Sequence, residues 1–196
     1  MTTLYLASTS PRRKALLEQI GVEFEVIDGI QVDETPLPLE NAKDCALRLA
    51  QDKARVGWQR VNREGAAVLG ADTVVLFEGN LLDKPASRAQ ALANLQRLSG
   101  NTHVVITAVA LCTSAGVKTH AVTTQVTFRQ LSTQHLEQYI ATGEPFDKAG
   151  GYGIQGFGAA LVSAINGCYS NVVGLPLAQT AQMLEDAGVA MWQSDQ

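Results

Sequence analysis

Ala67-Val68-Leu69-Gly70-Ala71-Asp72-Thr73-Val74-Val75-Leu76-Phe77 is a near-continuous apolar run broken only by an aspartate and a threonine. A strand with one wet face alternates apolar and polar residues, whereas a strand covered on both faces is apolar throughout. The run therefore predicts a strand with layers on both sides, the central element of an α/β fold. A carboxylate inside such a run is costly unless it is paired or bound to a metal, which makes Asp72 the strongest single candidate for chemistry. A residue at a strand's end, hydrogen-bonded to a loop, is the plainer reading, but Val74, Val75, Leu76 and Phe77 follow directly. In a regular strand Thr73 points to the opposite face unless a bulge re-aims it.

Upstream, a helix is expected from about Asn41 toward Arg60, with Ala42, Ala46, Leu49, Ala50 and Ala54 on its apolar side. Lys53 follows Leu49 and Ala50 by four and three residues, so it shares their face. A lysine there either snorkels to the surface or projects into a pocket. The loop Asp33-Glu34-Thr35-Pro36-Leu37-Pro38 precedes this helix, because prolines two apart block regular structure. Glu23 to Ile27 alternates well enough for a strand before that loop.

The chain opens with Leu4-Tyr5-Leu6-Ala7-Ser8-Thr9-Ser10-Pro11-Arg12-Arg13. This reads as a short strand, a pair of hydroxyl residues, an N-cap at Ser10 and Pro11 at the first helical position. Ala15, Leu16, Leu17 and Ile20 continue at helical spacing, and Gly21 supplies a stop. Two arginines in the first turn oppose the helix dipole. Beside free N–H groups and hydroxyls they fit an anion, phosphate being the natural one; a solvated basic face is the alternative.

Downstream, Glu78-Gly79-Asn80 turns into Leu81-Leu82. Ser87 and Gln90 form a capping box for a helix bearing Leu92, Leu95 and Leu98 that stops at Gly100. Val104 to Cys112 and Ala121 to Phe128 pair as strands around Gly116. Leu131 and Leu136 staple the helix capped by Ser132, which ends at Thr142-Gly143. Ala159 to Ile165 reads as another strand, and a last helix ends at Gly188. The order predicts a mixed, twisted sheet with flanking helices in one domain spanning residues 1–196, with an active-site cleft between two lobes.

Two further segments qualify for chemistry. Pro85 holds Lys84 in an extended conformation and so fixes where its side chain leaves the backbone, although a surface turn would look the same. Asp147-Lys148-Ala149-Gly150-Gly151-Tyr152-Gly153-Ile154-Gln155-Gly156 lacks the Gly-Lys-Ser/Thr ending of a Walker loop and the dinucleotide fingerprint. It is either a flexible loop with a tight turn or a pocket wall in which the Gln155 amide reads a base edge. Glu34 with Asp72 would meet the needs of a magnesium ion, which takes one or two carboxylates plus phosphate oxygens and water.

A chain of 196 residues that is 46% hydrophobic can bury a sizeable core. Its net charge of −4 argues against nucleic acid as a partner and makes the basic cluster a local site for a small anion. Cys45, Cys112 and Cys168 have no zinc-ligand spacing and read as reduced core residues of a cytoplasmic protein. No signal peptide or membrane span is expected, His103, His120 and His135 receive no role, and Gln193 to Gln196 read as a frayed tail.

Together, Ala7-Ser8-Thr9-Ser10-Pro11-Arg12-Arg13, Ala50-Gln51-Asp52-Lys53-Ala54, Gly70-Ala71-Asp72-Thr73-Val74, Asp83-Lys84-Pro85, the segment 147–156 and Val173-Gly174-Leu175-Pro176 closely resemble the Maf family of nucleotide pyrophosphatases along nearly the whole chain. The resemblance implies a fold similar to the inosine triphosphate pyrophosphatases, a homodimer, and hydrolysis of nucleoside triphosphates between the α- and β-phosphates. It implies Asp72 as proton acceptor, or as metal ligand, and Ser8, Arg13, Lys53 and Lys84 around the triphosphate. It further implies Mg²⁺ or Mn²⁺ with Glu34 among its ligands. Arg12, Thr73 and Gln155 match the branch acting on dTTP and UTP, whereas a sister branch preferring 7-methyl-GTP has Trp, Gln and Glu there. A neutral amide suits the donor–acceptor edge of uracil or thymine; a carboxylate suits a cationic methylated guanine. House-cleaning of 5-methyl-UTP or pseudo-UTP, and a nucleotide-binding regulator of septum formation with incidental hydrolysis, are the rival expectations.

Overall fold

The computed structural model describes residues 2–192, so the tail expected at Gln193 to Gln196 lies outside the described residues. In chain order the elements are β1 (Thr3–Leu6), α1 (Pro11–Gln19), β2 (Phe24–Val26), α2 (Ala42–Val61), β3 (Ala66–Phe77), β4 (Asn80–Leu81), α3 (Arg88–Leu98), β5 (Thr102–Thr113), β6 (Gly116–Phe128), α4 (Thr133–Ala141), β7 (Val162–Asn166), α5 (Tyr169–Val173) and α6 (Leu177–Asp186). The strand order is β2-β1-β3-β5-β6-β7, with β4 paired to β3 off that path. Parallel and antiparallel pairs both occur, which makes the sheet mixed, as the sequence predicts. Among the described residues no helix is long and apolar enough to cross a membrane.

The chain forms two compact units. The first takes residues up to 72, 107–122 and from 174 onward. Here β1 lies between β2 and β3, parallel to both, with Leu6 opposite Val26 and Leu69. The ladders continue past the strand ends: the Ala7 amide donates to Leu69 O at 2.8 Å and the Ile27 amide to Leu6 O at 3.0 Å. Parallel strands send their following loops to one edge. The segment after β1, the long loop after β2 and residue 72 of β3 therefore emerge together. Residues 66–72 are all buried, the two-sided cover expected of the apolar run.

Small residues bring α2 hard against this sheet. Ala46, Ala50 and Ala54 recur every fourth position and are fully buried. A Cβ added to Gly70 would lie 2.6 Å from the Ala54 backbone nitrogen, and one on Gly57 would lie 2.8 Å from a Val68 methyl. Helix and strand backbones thus approach as closely as glycine permits. The helix begins at Asn41, whose side chain accepts from the Asp44 amide. At the other end of the first unit the start of β1 is tied to α6, with Thr2 Oγ1 donating to Ala187 O at 2.7 Å.

The second unit, residues 73–106 and 123–173, has its own core. Leu95 and Leu98 of α3 and Leu136 and Ile140 of α4 pack with Phe128 and Tyr152. Local signals in the sequence place these helices well. Ser87 accepts from the Gln90 amide, and Gln90 reaches back to the Ala86 amide at 2.9 Å, one residue earlier than in a reciprocal capping box. Ser132 accepts from the His135 amide, with Leu131 and Leu136 both buried beside it.

Two expectations are corrected, and one helix lies outside them. The stretch read as a strand over Ala159 to Ile165 begins with a 3₁₀ segment, Gly156–Leu161, and becomes strand only from Val162. Glycines at 156 and 158 let the chain coil there, and Asn166 extends the pairing beyond Ile165 through Gln125. Helix α5, five residues long, is not foreshadowed by any cap. Ser10 precedes α1 but makes no side-chain cap; Ser8 Oγ instead accepts from the Ser10 amide at 3.3 Å.

Candidate active site

The first unit gathers six of the residues singled out in the sequence: Ser8, Arg12, Arg13, Glu34, Lys53 and Asp72. Lys53 leaves α2 one residue before Ala54, where the helix meets Gly70, and its Nζ reaches Asp72 Oδ1 at 2.7 Å. The close packing of α2 on β3 is what makes that reach possible. The same Nζ lies 2.7 Å from Glu34 Oε1. Lys53 therefore does not snorkel; its ammonium bridges two carboxylates. Asp72 is 8% exposed, while Glu34 is exposed at the rim. An isolated charge at Asp72's depth would be strongly disfavoured, and the ammonium compensates it.

Arg13 projects from the first turn of α1. Its Nε donates to Gly174 O at 2.9 Å and its Nη1 to Ser8 Oγ at 3.2 Å. Burial pulls the guanidinium below its ordinary value; the negative charge of Asp72 opposes this, neighbouring Arg12 adds to it, and Glu34 opposes it more weakly. Arg13 stays a cation at neutral pH all the same. Ser8, Arg12, Arg13, Glu34, Lys53 and Asp72 thus form one electrostatic neighbourhood.

Two arginines of α2 hold the loop that carries Glu34, and neither was singled out in the sequence. Arg48 grips Glu40 with Nε at 2.7 Å and Nη2 at 2.8 Å, and it also donates to the carbonyls of Asp33 and Thr35. This fork holds the Glu40 carboxyl down to about 2. Arg60 donates to Asp28 O and Gly29 O, both at 2.8 Å. A proline-bounded loop with no regular structure is fixed in this way at both ends.

In the described residues no group of three or more His, Cys, Asp or Glu side chains could hold a metal. The available donors are the Asp72 and Glu34 carboxylates. Their oxygens lie 2.7 Å from the same nitrogen, hence no farther apart than twice that distance. Hard oxygen donors gathered around one cationic centre fit a magnesium-like ion that draws its remaining ligands from phosphate and water.

Thr73, Lys84 and Gln155 belong to the second unit. Backbone bonds draw their segments together: the Leu82 amide donates to Val75 O and the Gly150 amide to Leu82 O, each at 2.8 Å. Gly150 has φ +73° and abuts the Val75 side chain. Lys84 and Gln155 are both exposed, and Thr73 is half-buried beside buried Asp72 in an unbroken strand. The glycine segment is coiled into short 3₁₀ turns rather than left as an open loop.

His103, given no role from the sequence, is buried in this unit with Nε2 2.6 Å from Tyr152 Oη. Its ring meets those of Phe128 and Tyr152 edge-on. Cys45 and Cys112 are buried and Cys168 is half-buried, all three as free thiols.

A family model described as Maf-like protein matches residues 3–187. A dTTP/UTP pyrophosphatase of Alcanivorax borkumensis is 50% identical over 98% of this chain and 99% of its own length. Proteins of the same name from Salmonella typhimurium and Escherichia coli K12 are 52% and 48% identical, covering 94% and 95% of this chain and 92% and 93% of their own. Among solved structures, the Staphylococcus aureus Ham1 protein is a distant likeness, at 15% identity and a TM-score of 0.46 over 82% of this chain and 80% of its own. Half identity to its relatives from end to end, and a family model that spans both compact units, have one consequence: the chain belongs to the Maf family.

Proposed function

We propose that this chain is a nucleoside triphosphate pyrophosphatase that hydrolyses dTTP and UTP between the α- and β-phosphates, releasing the monophosphate and pyrophosphate. The observation that carries the reading is the buried Asp72 held by Lys53 beside Glu34, with Arg13 in the same field. The relatives' names point to the same substrates. A nucleoside triphosphate carries about four negative charges, and Arg12, Arg13, Lys53 and Lys84 supply cations against them while Ser8 offers a hydroxyl. Asp72 accepts the proton of the water added across the anhydride. Glu34 and Asp72 would hold a divalent cation, Mg²⁺ or Mn²⁺, which when bound polarises the phosphate and neutralises its charge. Arg12, Thr73 and Gln155 select the pyrimidine, the Gln155 amide matching the base's paired donor and acceptor. The same reading takes the protein as a cytoplasmic homodimer, and its free thiols suit a reducing compartment.

Pyrophosphate release from dTTP, UTP, 5-methyl-UTP, pseudo-UTP, CTP, GTP and 7-methyl-GTP, each with and without Mg²⁺, tests the proposal. Metal-dependent turnover of dTTP and UTP well above the purine nucleotides is expected. Tight binding of those nucleotides without pyrophosphate release would overturn it.

A further inference from the structure

Glu144 lies just after α4, and its carboxylate is spent entirely on the glycine segment and on the helix behind it. Oε2 accepts from the Phe157 amide and Oε1 from the Gly158 amide, each at 3.0 Å. Oε1 also accepts from Tyr139 Oη at 3.0 Å, and Tyr139 Oη in turn accepts from the Gly153 amide at 3.3 Å. Burial raises the Tyr139 hydroxyl above its ordinary value, so it remains a donor. The Glu144 carbonyl takes Lys148 Nζ at 2.8 Å. One acidic residue therefore fixes the chain on both sides of Gln155, at residue 153 through Tyr139 and at residues 157 and 158 directly.

Two glycines of this segment leave room for that carboxylate, although at Gly158 the Gly153 carbonyl would be met first. A Cβ on Gly156, where φ is +68°, would fall 2.8 Å from Glu144 Oε2. A Cβ on Gly158 would fall 3.0 Å from Glu144 Oε1 and 2.9 Å from Tyr139 Oη. Gln155 itself is extended and exposed at the apex between these anchored points. An exposed amide can discriminate bases only if its backbone is held, since an untethered side chain gives up in ordering what it gains in hydrogen bonds.

We infer that Glu144 is a positioning residue for nucleobase selection: through Tyr139 and the Phe157 and Gly158 amides it holds the turn that presents Gln155. This deepens the proposed function and rests on Gln155 facing the base. Glu144 touches neither phosphate nor metal in this scheme, so its loss should weaken binding of the nucleotide and leave the hydrolytic step intact.

The test compares Glu144→Ala, Glu144→Gln, Gln155→Ala and the double variant Glu144→Ala/Gln155→Ala, using hydrogen exchange of residues 153–158 and steady-state kinetics on UTP and dTTP. Glu144→Ala should speed exchange at the Phe157 and Gly158 amides and raise KM about tenfold with kcat within about threefold. Glu144→Gln keeps one acceptor oxygen and should fall between; if the alanine variant fails to fold, it carries both measurements. In the Gln155→Ala background the alanine change should add less than about twofold to KM, because the group being positioned is gone. An equal KM increase in both backgrounds, or unchanged exchange at residues 157 and 158, overturns the inference. Wild-type protein that turns over neither nucleotide overturns the proposed function instead, and exchange alone then decides whether Glu144 holds the turn.

Discussion

Asp72 and His103 are both buried polar residues, and they predict different failures. Asp72→Asn keeps the shape of the side chain and removes the charge that Lys53 and Arg13 face. If Asp72 is the proton acceptor proposed above, its loss should lower kcat by at least about a hundredfold. Nucleotide affinity should hold or tighten, because a negative charge at the proposed triphosphate site has gone; calorimetric titration with UTP alongside the rate assay checks this. His103 makes its prediction through pH. Burial among aromatic rings pushes its imidazole from 6.5 down to about 4. As pH falls below 6.5 the unfolded chain takes up this proton while the folded protein does not. Stability due to His103 is therefore complete above 6.5, declines between 6.5 and about 4, and is lost below that. The total is roughly 3 kcal/mol. Urea midpoints measured from pH 7 to 4 should fall more steeply for the wild type than for His103→Phe; parallel curves would remove this histidine from the account.

At the scale of the element, the approach of α2 to β3 is the feature the site depends on. Gly70→Ala would put a methyl against the Ala54 nitrogen and the Ala50 carbonyl, both backbone, so neither can swing aside. Overpacking of this kind costs about 1–3 kcal/mol, and any outward shift of α2 lengthens the Lys53–Asp72 pair. A lowered melting temperature accompanied by lost activity is expected; an unperturbed melting temperature would show that the helix yields freely. Much of this architecture was legible in the sequence. The apolar run at 67–77, the caps at Ser87 and Ser132 and the staple of Leu131 with Leu136 follow local rules that operate within a turn or two of chain. Asp72, Lys53 and the arginines at 12 and 13 stood out as charges where local rules disfavour them. Arg48, Arg60 and Glu144 did not, because each is a charged residue at an unremarkable position whose partners lie far along the chain: Arg60 reaches back to Asp28, 32 residues earlier, and Glu144 forward to Phe157, 13 residues later. No period marks such a clamp. The 3₁₀ segment at 156–161 escaped for a related reason: its glycines permit the coil, but the Glu144 carboxylate that holds it lies 13 and 14 residues back along the chain.

For the whole molecule, β3, β5 and β6 each contribute residues to both compact units. Unfolding one unit strips half of three hydrogen-bonded strands, so the chain should unfold in one cooperative transition. Trp58 and Trp192 report the first unit and the His103 ring the second. Urea titrations followed by tryptophan emission and by the His103 resonance should share a midpoint; separated midpoints would show independent units. The same topology bears on how the protein is made. Arg13 finds its carbonyl partner at Gly174, 161 residues later. At ordinary ribosomal speeds roughly 10–30 s separate the synthesis of these two residues. During that interval the start of α1, Asp72 and their surrounding strands have been synthesised without the segment that supplies the Gly174 carbonyl. The early part of the candidate site thus waits for a late one, and under the proposed function a nascent chain is ready for its polyanionic ligand only after residue 174 has emerged.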